Sequence, residues 1–197
     1  MLQVPDQPFS GLIFDCDGTL VDSMPLHYKA WVASLDHHGA TFPFTEDYFY
    51  SKAGMREQDV VTLLNAEHGT NVDAEAVANH KARLFEEIIP QVEAIRPVAE
   101  FARYMHGKVP MSVASGSEEH IVRGCLKAND LLHLFDEIII TPRLVAKGKP
   151  APDMFLLAAE RMGVPAKDCL VIEDGQSGID AAKAAGMKWV FVPRTLR

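Results

Sequence analysis

The sequence predicts an α/β fold: a doubly wound, Rossmann-like parallel sheet carrying an inserted α-helical cap. Three observations predict it. Five short apolar runs read as strands buried on both faces, the pattern of a parallel sheet. Helical patterns separate the last four runs, and alternating strand and helix is the mark of parallel crossovers. Residues 23–96, between the first run and the second, hold amphipathic helical patterns with no buried strand.

The first strand is "GLIFD", residues 11–15. The insertion follows, with "MPLHYKAWVASLDHHG" and "REQDVVTLLNAEHG" as its clearest helices and Trp31 expected in its core. Pro97 comes directly after Arg96, and "PVAEFARYMHGK" resumes the main domain as the helix leading to the second strand, "MSVAS", residues 111–115. "SEEHIVRGCLKANDLL" is the next helix and "EIIIT", residues 137–141, the third strand. The helix "APDMFLLAAERMGV" has Pro152 near its start and Gly163 at its end, the usual helix asymmetry. "CLVIED", residues 169–174, "SGIDAAKAAGM" and "WVFVP", residues 189–193, complete the sheet. The expected division is a core of residues 1–22 and 97–197 with a cap of residues 23–96.

A chain of 197 residues suits one core domain with a smaller insertion. Hydrophobic residues make up 48% and charged residues 23%, and no apolar run is long enough to span a bilayer. The opening "MLQVPDQPFS" lacks the basic and apolar regions of a secretory signal, so the expected location is the cytoplasm. Three cysteines, Cys16, Cys125 and Cys169, without CxxC spacing, argue against a disulfide framework or a structural zinc site. They read as reduced, buried thiols. A net charge of -8 disfavours nucleic acid and anionic membranes as partners, and no segment points to an obligate protein partner.

In an open parallel sheet, ligands bind outside the carboxyl ends of the strands. The unusual residues fall there. Asp15 and Asp17 close the first strand, Ser115 the second, Glu173 and Asp174 the fourth, and Lys149 lies in "KGKPAPD" after the third. Singly, each is an ordinary turn former or helix cap. Together they converge on one rim, and carboxylates, a hydroxyl and a lysine suit phosphoryl transfer with magnesium, a hard cation that prefers oxygen ligands. Aspartate can itself be the nucleophile. Two unit charges about 4 Å apart interact by roughly 4 kcal/mol at an effective dielectric of 20, and a phosphate dianion facing a carboxylate doubles that repulsion. Magnesium and Lys149 offset it.

The segments "DCDGTLVDS", "ASGS", "KPAPD" and "EDGQSGIDAAKAAGM" resemble, in order, the four motifs of the haloacid dehalogenase-like hydrolase superfamily. The helical insertion after the first motif is similar to that of the β-phosphoglucomutase-like group, which includes sugar phosphatases of the fructose-1-phosphatase type. The resemblance implies Asp15 as nucleophile and Asp17 as general acid and then base. It implies Ser115, Gly116 and Lys149 as phosphate ligands. Asp15, Asp174, the Asp17 backbone carbonyl and Glu173 would hold magnesium. Gly18 and Thr19 then turn the chain, and Cys16 is bystander packing, its side chain directed away from its two neighbours.

Within the cap, His27, Lys52 and Arg56 sit at positions similar to those contacting the sugar phosphate or the general acid. Lys81 matches such a position as well, within a loop that differs in length. His37 and His38 are adjacent, unlike a helical i, i+4 metal pair, and are assigned no function.

The leading reading is a magnesium-dependent phosphatase of small sugar phosphates such as fructose 1-phosphate. The alternative is a β-phosphoglucomutase, which interconverts β-glucose 1-phosphate and glucose 6-phosphate. A mutase must rebind a bisphosphate in either orientation, and its pattern carries an amide a few residues after Ser115. This chain has Glu118 and Glu119 there, and Glu119 is expected to repel a second phosphate unless Arg56 pairs with it. A receiver-type signalling module also gathers acids at strand ends, but lacks a helical cap and the Asp17 acid.

Overall fold

The computed structural model describes residues 2, 4, 8–53, 55–135 and 138–196. Five parallel strands form one sheet in the order β3–β2–β1–β4–β5. They are β1 (Gly11–Phe14), β2 (Met111–Ala114), β3 (Ile139–Ile140), β4 (Cys169–Glu173) and β5 (Lys188–Phe191). Among the described residues β3 is short, and Glu137 of the expected third strand lies outside them. Helices α1 (Met24–His37), α2 (Glu46–Ser51), α3 (Glu57–His68) and α4 (Ala74–Ile88) come between β1 and β2, followed by α5 (Arg96–Met105). After β2 come α6 (Glu119–Ala128), α7 (Asp153–Met162) and α8 (Gln176–Ala184). Helix α5 opens at Arg96, one residue before the expected Pro97.

The pleat of β1 shows how the sheet is covered. Leu12 and Phe14 face a core completed by Val98 and Phe101 of α5 and by Ile121 and Leu126 of α6. Ile13 faces the opposite core, built from Phe155 and Ala158 of α7 and Ala181 of α8. Each such fully buried aliphatic or aromatic side chain contributes about 1.5–3 kcal/mol relative to exposure, so the central strand is locked between two layers. In β5 the expectation of burial on both faces does not hold, since Trp189 is 38% and Phe191 48% exposed. The strand lies at the sheet edge, and only Val190, followed by Val192, faces a core.

The insertion has its own apolar centre, in which Trp31 and Leu35 of α1 meet Val61 and Leu64 of α3 and Val77 of α4. The chain enters and leaves it through a narrow ribbon: the Asp22 N–H donates to the Glu93 carbonyl at 2.8 Å and the Ile95 N–H to the Leu20 carbonyl at 2.9 Å. Val21 and Ala94 form an antiparallel bridge between them. Among the described residues no helix is long and apolar enough to cross a membrane. Cys16, Cys125 and Cys169 are free thiols, all buried.

Candidate active site

Backbone pairing continues past three strand ends and sets the rim. The Asp15 N–H donates to the Ile172 carbonyl at 2.9 Å and the Ser115 N–H to the Ile140 carbonyl at 3.0 Å, while the Glu173 carbonyl accepts from the Val192 N–H at 2.8 Å. These three residues therefore leave the sheet side by side.

Lys149 joins two of them, its buried Nζ donating to Asp15 Oδ1 and to Glu173 Oε2, each at 2.7 Å. The other Glu173 oxygen accepts the backbone N–H groups of Asp174 and Gly175, at 3.1 and 2.9 Å. Helix α8 packs tightly over this carboxylate: a Cβ on Gly178 would lie 1.9 Å from Glu173 Oε2. Thr19 donates to Asp174 Oδ1 at 3.2 Å.

Asp15, Glu173 and Asp174 hold ligand oxygens within 4.8 Å of one another. Three carboxylates against one ammonium leave two excess negative charges. Burial first, and then the charge of Glu173, push the Asp15 carboxyl well above its ordinary value, with Lys149 opposing. Burial lowers the Lys149 pKa, but the charges and hydrogen bonds of Asp15 and Glu173 more than reverse this and hold it protonated. One divalent cation would supply the missing charge, and an all-oxygen donor set is what magnesium prefers. The residues present fit that ion.

Asp17 is held apart from this cluster. After Cys16 the chain coils so tightly that the N–H groups of Thr19, Leu20 and Val21 all point at the Cys16 carbonyl, and Gly18 takes the left-handed φ of +88° that the coil needs. Asp17 Oδ1 accepts from Ser23 Oγ at 2.6 Å and from His27 Nε2 at 3.2 Å. Its Oδ2 accepts from Ser117 Oγ at 2.7 Å and Ser115 Oγ at 3.1 Å. Burial raises its pKa, but the hydrogen bond from His27, the charge of that ring once acid protonates it, and the hydroxyls of Ser23 and Ser117 outweigh burial and hold the carboxyl well below the usual range. Ser23 stands at the N-cap of α1 yet makes no side-chain cap. Its hydroxyl serves Asp17 instead, forgoing a cap worth about 1 kcal/mol.

His27 links Asp17 to the insertion. Its Nδ1 accepts from Lys81 Nζ at 2.9 Å, and the buried Lys81 also donates to Glu57 Oε1 at 2.5 Å. Phe85 stacks on the imidazole with centroids 3.6 Å apart. Burial, then the Lys81 charge, lower the His27 pKa, so the ring is neutral near pH 7.

A cavity of about 1060 Å³ opens between sheet rim and insertion. Asp15, Asp17, Gly116, Ser117, Lys149, Glu173 and Asp174 line it from the sheet side, and His27, Lys52, Arg56 and Lys81 from the other. Lys52 lies over the Tyr48 ring at 5.0 Å. Ser115 is buried behind the cavity wall, its hydroxyl turned to Asp17 and accepting the Ser117 N–H at 3.0 Å. The expectation for Glu119 is corrected. Glu119 pairs with Arg123 at 2.7 Å along α6 and does not line the cavity. Glu118 lines it, and its partner is Arg143, at 2.6 Å, not Arg56. Residue 118 is the N-cap of α6 and residue 119 its first helical position, so a one-residue step turns the side chain about 100° around the axis. Ser23, Ser117, Glu57 and Lys81 also join the site. Ser23 and Ser117 fall inside the quoted motifs and Lys81 is matched by resemblance, but nothing local to Glu57 marks it.

The family profile of the haloacid dehalogenase-like hydrolases matches residues 9–186. The chain belongs to that family. Fructose-1-phosphate phosphatase YqaB of Escherichia coli (strain K12) is 35% identical over 184 residues, covering 93% of this chain and 96% of the relative. Beta-phosphoglucomutase of Bacillus subtilis (strain 168) is 30% identical over 187 residues, covering 89% of this chain and 80% of the relative. A crystal structure of a hydrolase from Pseudomonas syringae superposes with a TM-score of 0.80 at 30% identity, covering 92% of this chain and 84% of that one.

Proposed function

We propose that the protein is a magnesium-dependent phosphatase of small sugar phosphates, fructose 1-phosphate among them, acting through an aspartyl-phosphate on Asp15. It is a phosphoric monoester hydrolase by family and by its phosphatase relatives. The observation that carries the reading is the contrast between the two aspartates: Asp15 sits in a lysine and carboxylate cluster, while Asp17 faces the same cavity held only by hydroxyls and an imidazole.

A carboxylate oxygen of Asp15 attacks phosphorus, and the bond from phosphorus to the sugar oxygen breaks. Asp17 protonates that oxygen as it leaves. The Asp17 carboxylate then takes a proton from water, the water oxygen bonds to phosphorus, and the bond to Asp15 breaks. Without substrate, Asp17 is in its basic form. An arriving phosphate dianion raises its pKa by like-charge repulsion and so favours the acid form of the first step. Lys149, Gly116 and Ser117 receive the phosphate, and Ser115 joins them by exchanging its bond to Asp17. Asp15, Glu173, Asp174 and the Asp17 carbonyl would hold magnesium, which when bound neutralises the charge gathered at the phosphoryl group. On this reading residues 23–96 are a cap over a core of residues 1–22 and 97–197, and the enzyme works in the cytoplasm on a small molecule.

The mutase reading has a relative in its favour. The repulsion expected to oppose it is weakened, since Glu118 on the cavity wall is paired with Arg143, so the assay decides. The deciding assay supplies β-glucose 1-phosphate with catalytic glucose 1,6-bisphosphate, beside a panel of sugar monophosphates. Phosphate release should exceed glucose 6-phosphate formation. Isomerisation outrunning phosphate release would replace the phosphatase reading by the mutase one.

A further inference from the structure

Away from the carboxylate rim, three imidazoles meet on the insertion. His37 ends α1, His38 is its C-cap, and His80 lies in α4. Ring centroids are 5.1 Å apart for His37 and His38, 4.4 Å for His37 and His80, and 5.3 Å for His38 and His80. One ligand nitrogen from each ring lies within 4.8 Å of those of the other two.

The arrangement follows from a fixed register between two helices. Ser34 Oγ donates to the Val77 carbonyl in a buried bond of 2.8 Å. His37 and His38 lie one turn beyond Ser34, and His80 one turn beyond Val77, so the cluster sits a single turn from that anchor. Adjacent histidines within a helix diverge by about 100° around its axis. Here the helix stops at His37, and the third ring arrives from another helix to close the set.

The cluster also lacks partners for two of its nitrogens. His38 Nε2 and His80 Nδ1 are buried with no hydrogen-bond partner among the described residues. Buried polar atoms are nearly always paired, and a bound ion is one recognised reason for an exception.

We propose that His37, His38 and His80 form a second metal site, taking a first-row divalent ion that favours imidazole, with zinc, nickel and copper in the class. Nitrogen donors select such ions, as the oxygen donors of Asp15, Glu173 and Asp174 select magnesium. A tetrahedral ion with bonds of about 2.0–2.1 Å needs its nitrogens about 3.4 Å apart. Small imidazole rotations close that gap, and water takes the fourth position. His37 is exposed and gives the ion its access. Bound there, the ion cross-links the end of α1 to α4, the two helices that also carry His27 and Lys81.

The test uses untagged full-length protein in saturating magnesium, which occupies the oxygen cluster. Zinc is titrated by calorimetry and cobalt(II) by its visible absorption, with melting temperature followed in parallel. The variants are His80→Ala and His37→Gln, the second at an exposed helix end where folding is not at risk. The wild type should bind one equivalent of zinc, develop the intense bands of four-coordinate cobalt and melt at higher temperature with zinc present. Each variant should lose at least about tenfold in zinc affinity, the scale set by disturbing a metal site, and lose the cobalt bands. Zinc affinity equal in the wild type and both variants, or no bound equivalent in the wild type, would overturn the proposal.

Discussion

Lys81 donates to Nδ1 of His27 at 2.9 Å, and this bond decides where the imidazole proton sits. An ammonium group has no lone pair, so Nδ1 must accept. The proton is therefore on Nε2, directed at Asp17 Oδ1 3.2 Å away. A lysine in one helix thus sets the tautomer of a histidine in another, and through it the hydrogen bonding of a carboxylate at the sheet rim.

Replacing Lys81 by Met should free the tautomer and remove the charge that keeps the ring neutral. The His27 pKa rises, the ring loses the contact that orients it toward Asp17, and kcat should fall by roughly 10–100-fold, within the range of acid–base contributions. The acid limb of the rate profile should move to higher pH. An unchanged kcat and pH profile would reduce Lys81 to packing.

Stability should fall as pH drops from 7 to 5, and His27 should account for part of the fall. Its folded pKa is lowered by burial and Lys81. Above the ordinary imidazole value of about 6.5 neither folded nor unfolded chain binds the proton; below it the unfolded chain binds it first. The contribution is thus complete above that value and is lost as pH falls toward the folded pKa. Urea midpoints at pH 7, 6 and 5 should decline less steeply for His27→Gln than for the wild type, whatever the offset between them. Parallel curves would deny His27 this role.

Gly178→Ala adds one methyl group to α8, at a place where it would meet the Glu173 carboxylate. Either the helix shifts or Glu173 swings away, and the second breaks its hold on Lys149. Overpacking of this kind costs about 1–3 kcal/mol, so the melting temperature should drop by several degrees, and activity by more than the fraction unfolded explains. Wild-type activity in a destabilised variant would mean that the helix gives way and the site does not.

Asp15→Asn should abolish turnover, because an amide cannot form the phosphoenzyme. It also removes one of three crowded carboxylates, so without metal the variant should be at least as stable as the wild type. Phosphate release above about a tenth of the wild-type rate would exclude Asp15 as nucleophile, since losing a covalent step is far more damaging than that.

Chelation should inactivate the enzyme reversibly, and Asp174→Ala should raise the magnesium concentration needed for half-maximal rate, since it deletes one oxygen donor. Magnesium should also raise the wild-type melting temperature, as any ligand of the folded state does. Full activity in excess chelator would remove the metal from the reaction.

The sheet was legible because each strand is a short run dominated by apolar residues, and the rim because its polar residues follow those runs. Exposure on β5 was not legible, since a strand's place at the sheet edge belongs to topology and leaves Trp189 and Phe191 looking like core residues. His27 and Lys81 lie 54 residues apart, and their meeting depends on how α1 packs against α4. The same packing turns His80 toward His37 and His38, a cluster no local spacing announces. Glu118 and Glu119 differ only by helical phase, which depends on where α6 begins.

The paired ribbon at Val21 and Ala94 sets the insertion's independence from the sheet. Paired antiparallel strands keep their α-carbons about 4.5–5.5 Å apart, a gap that a short hairpin would also bridge. To the sheet, the whole insertion is therefore the equivalent of a turn. Segments of other lengths can join there without disturbing the register of β1, provided they supply the bonds that Ser23 and His27 make to Asp17 Oδ1. Chimaeras joined at Asp22 and Glu93 would keep the Asp15 cluster while drawing part of the setting of Asp17 from the transplanted segment.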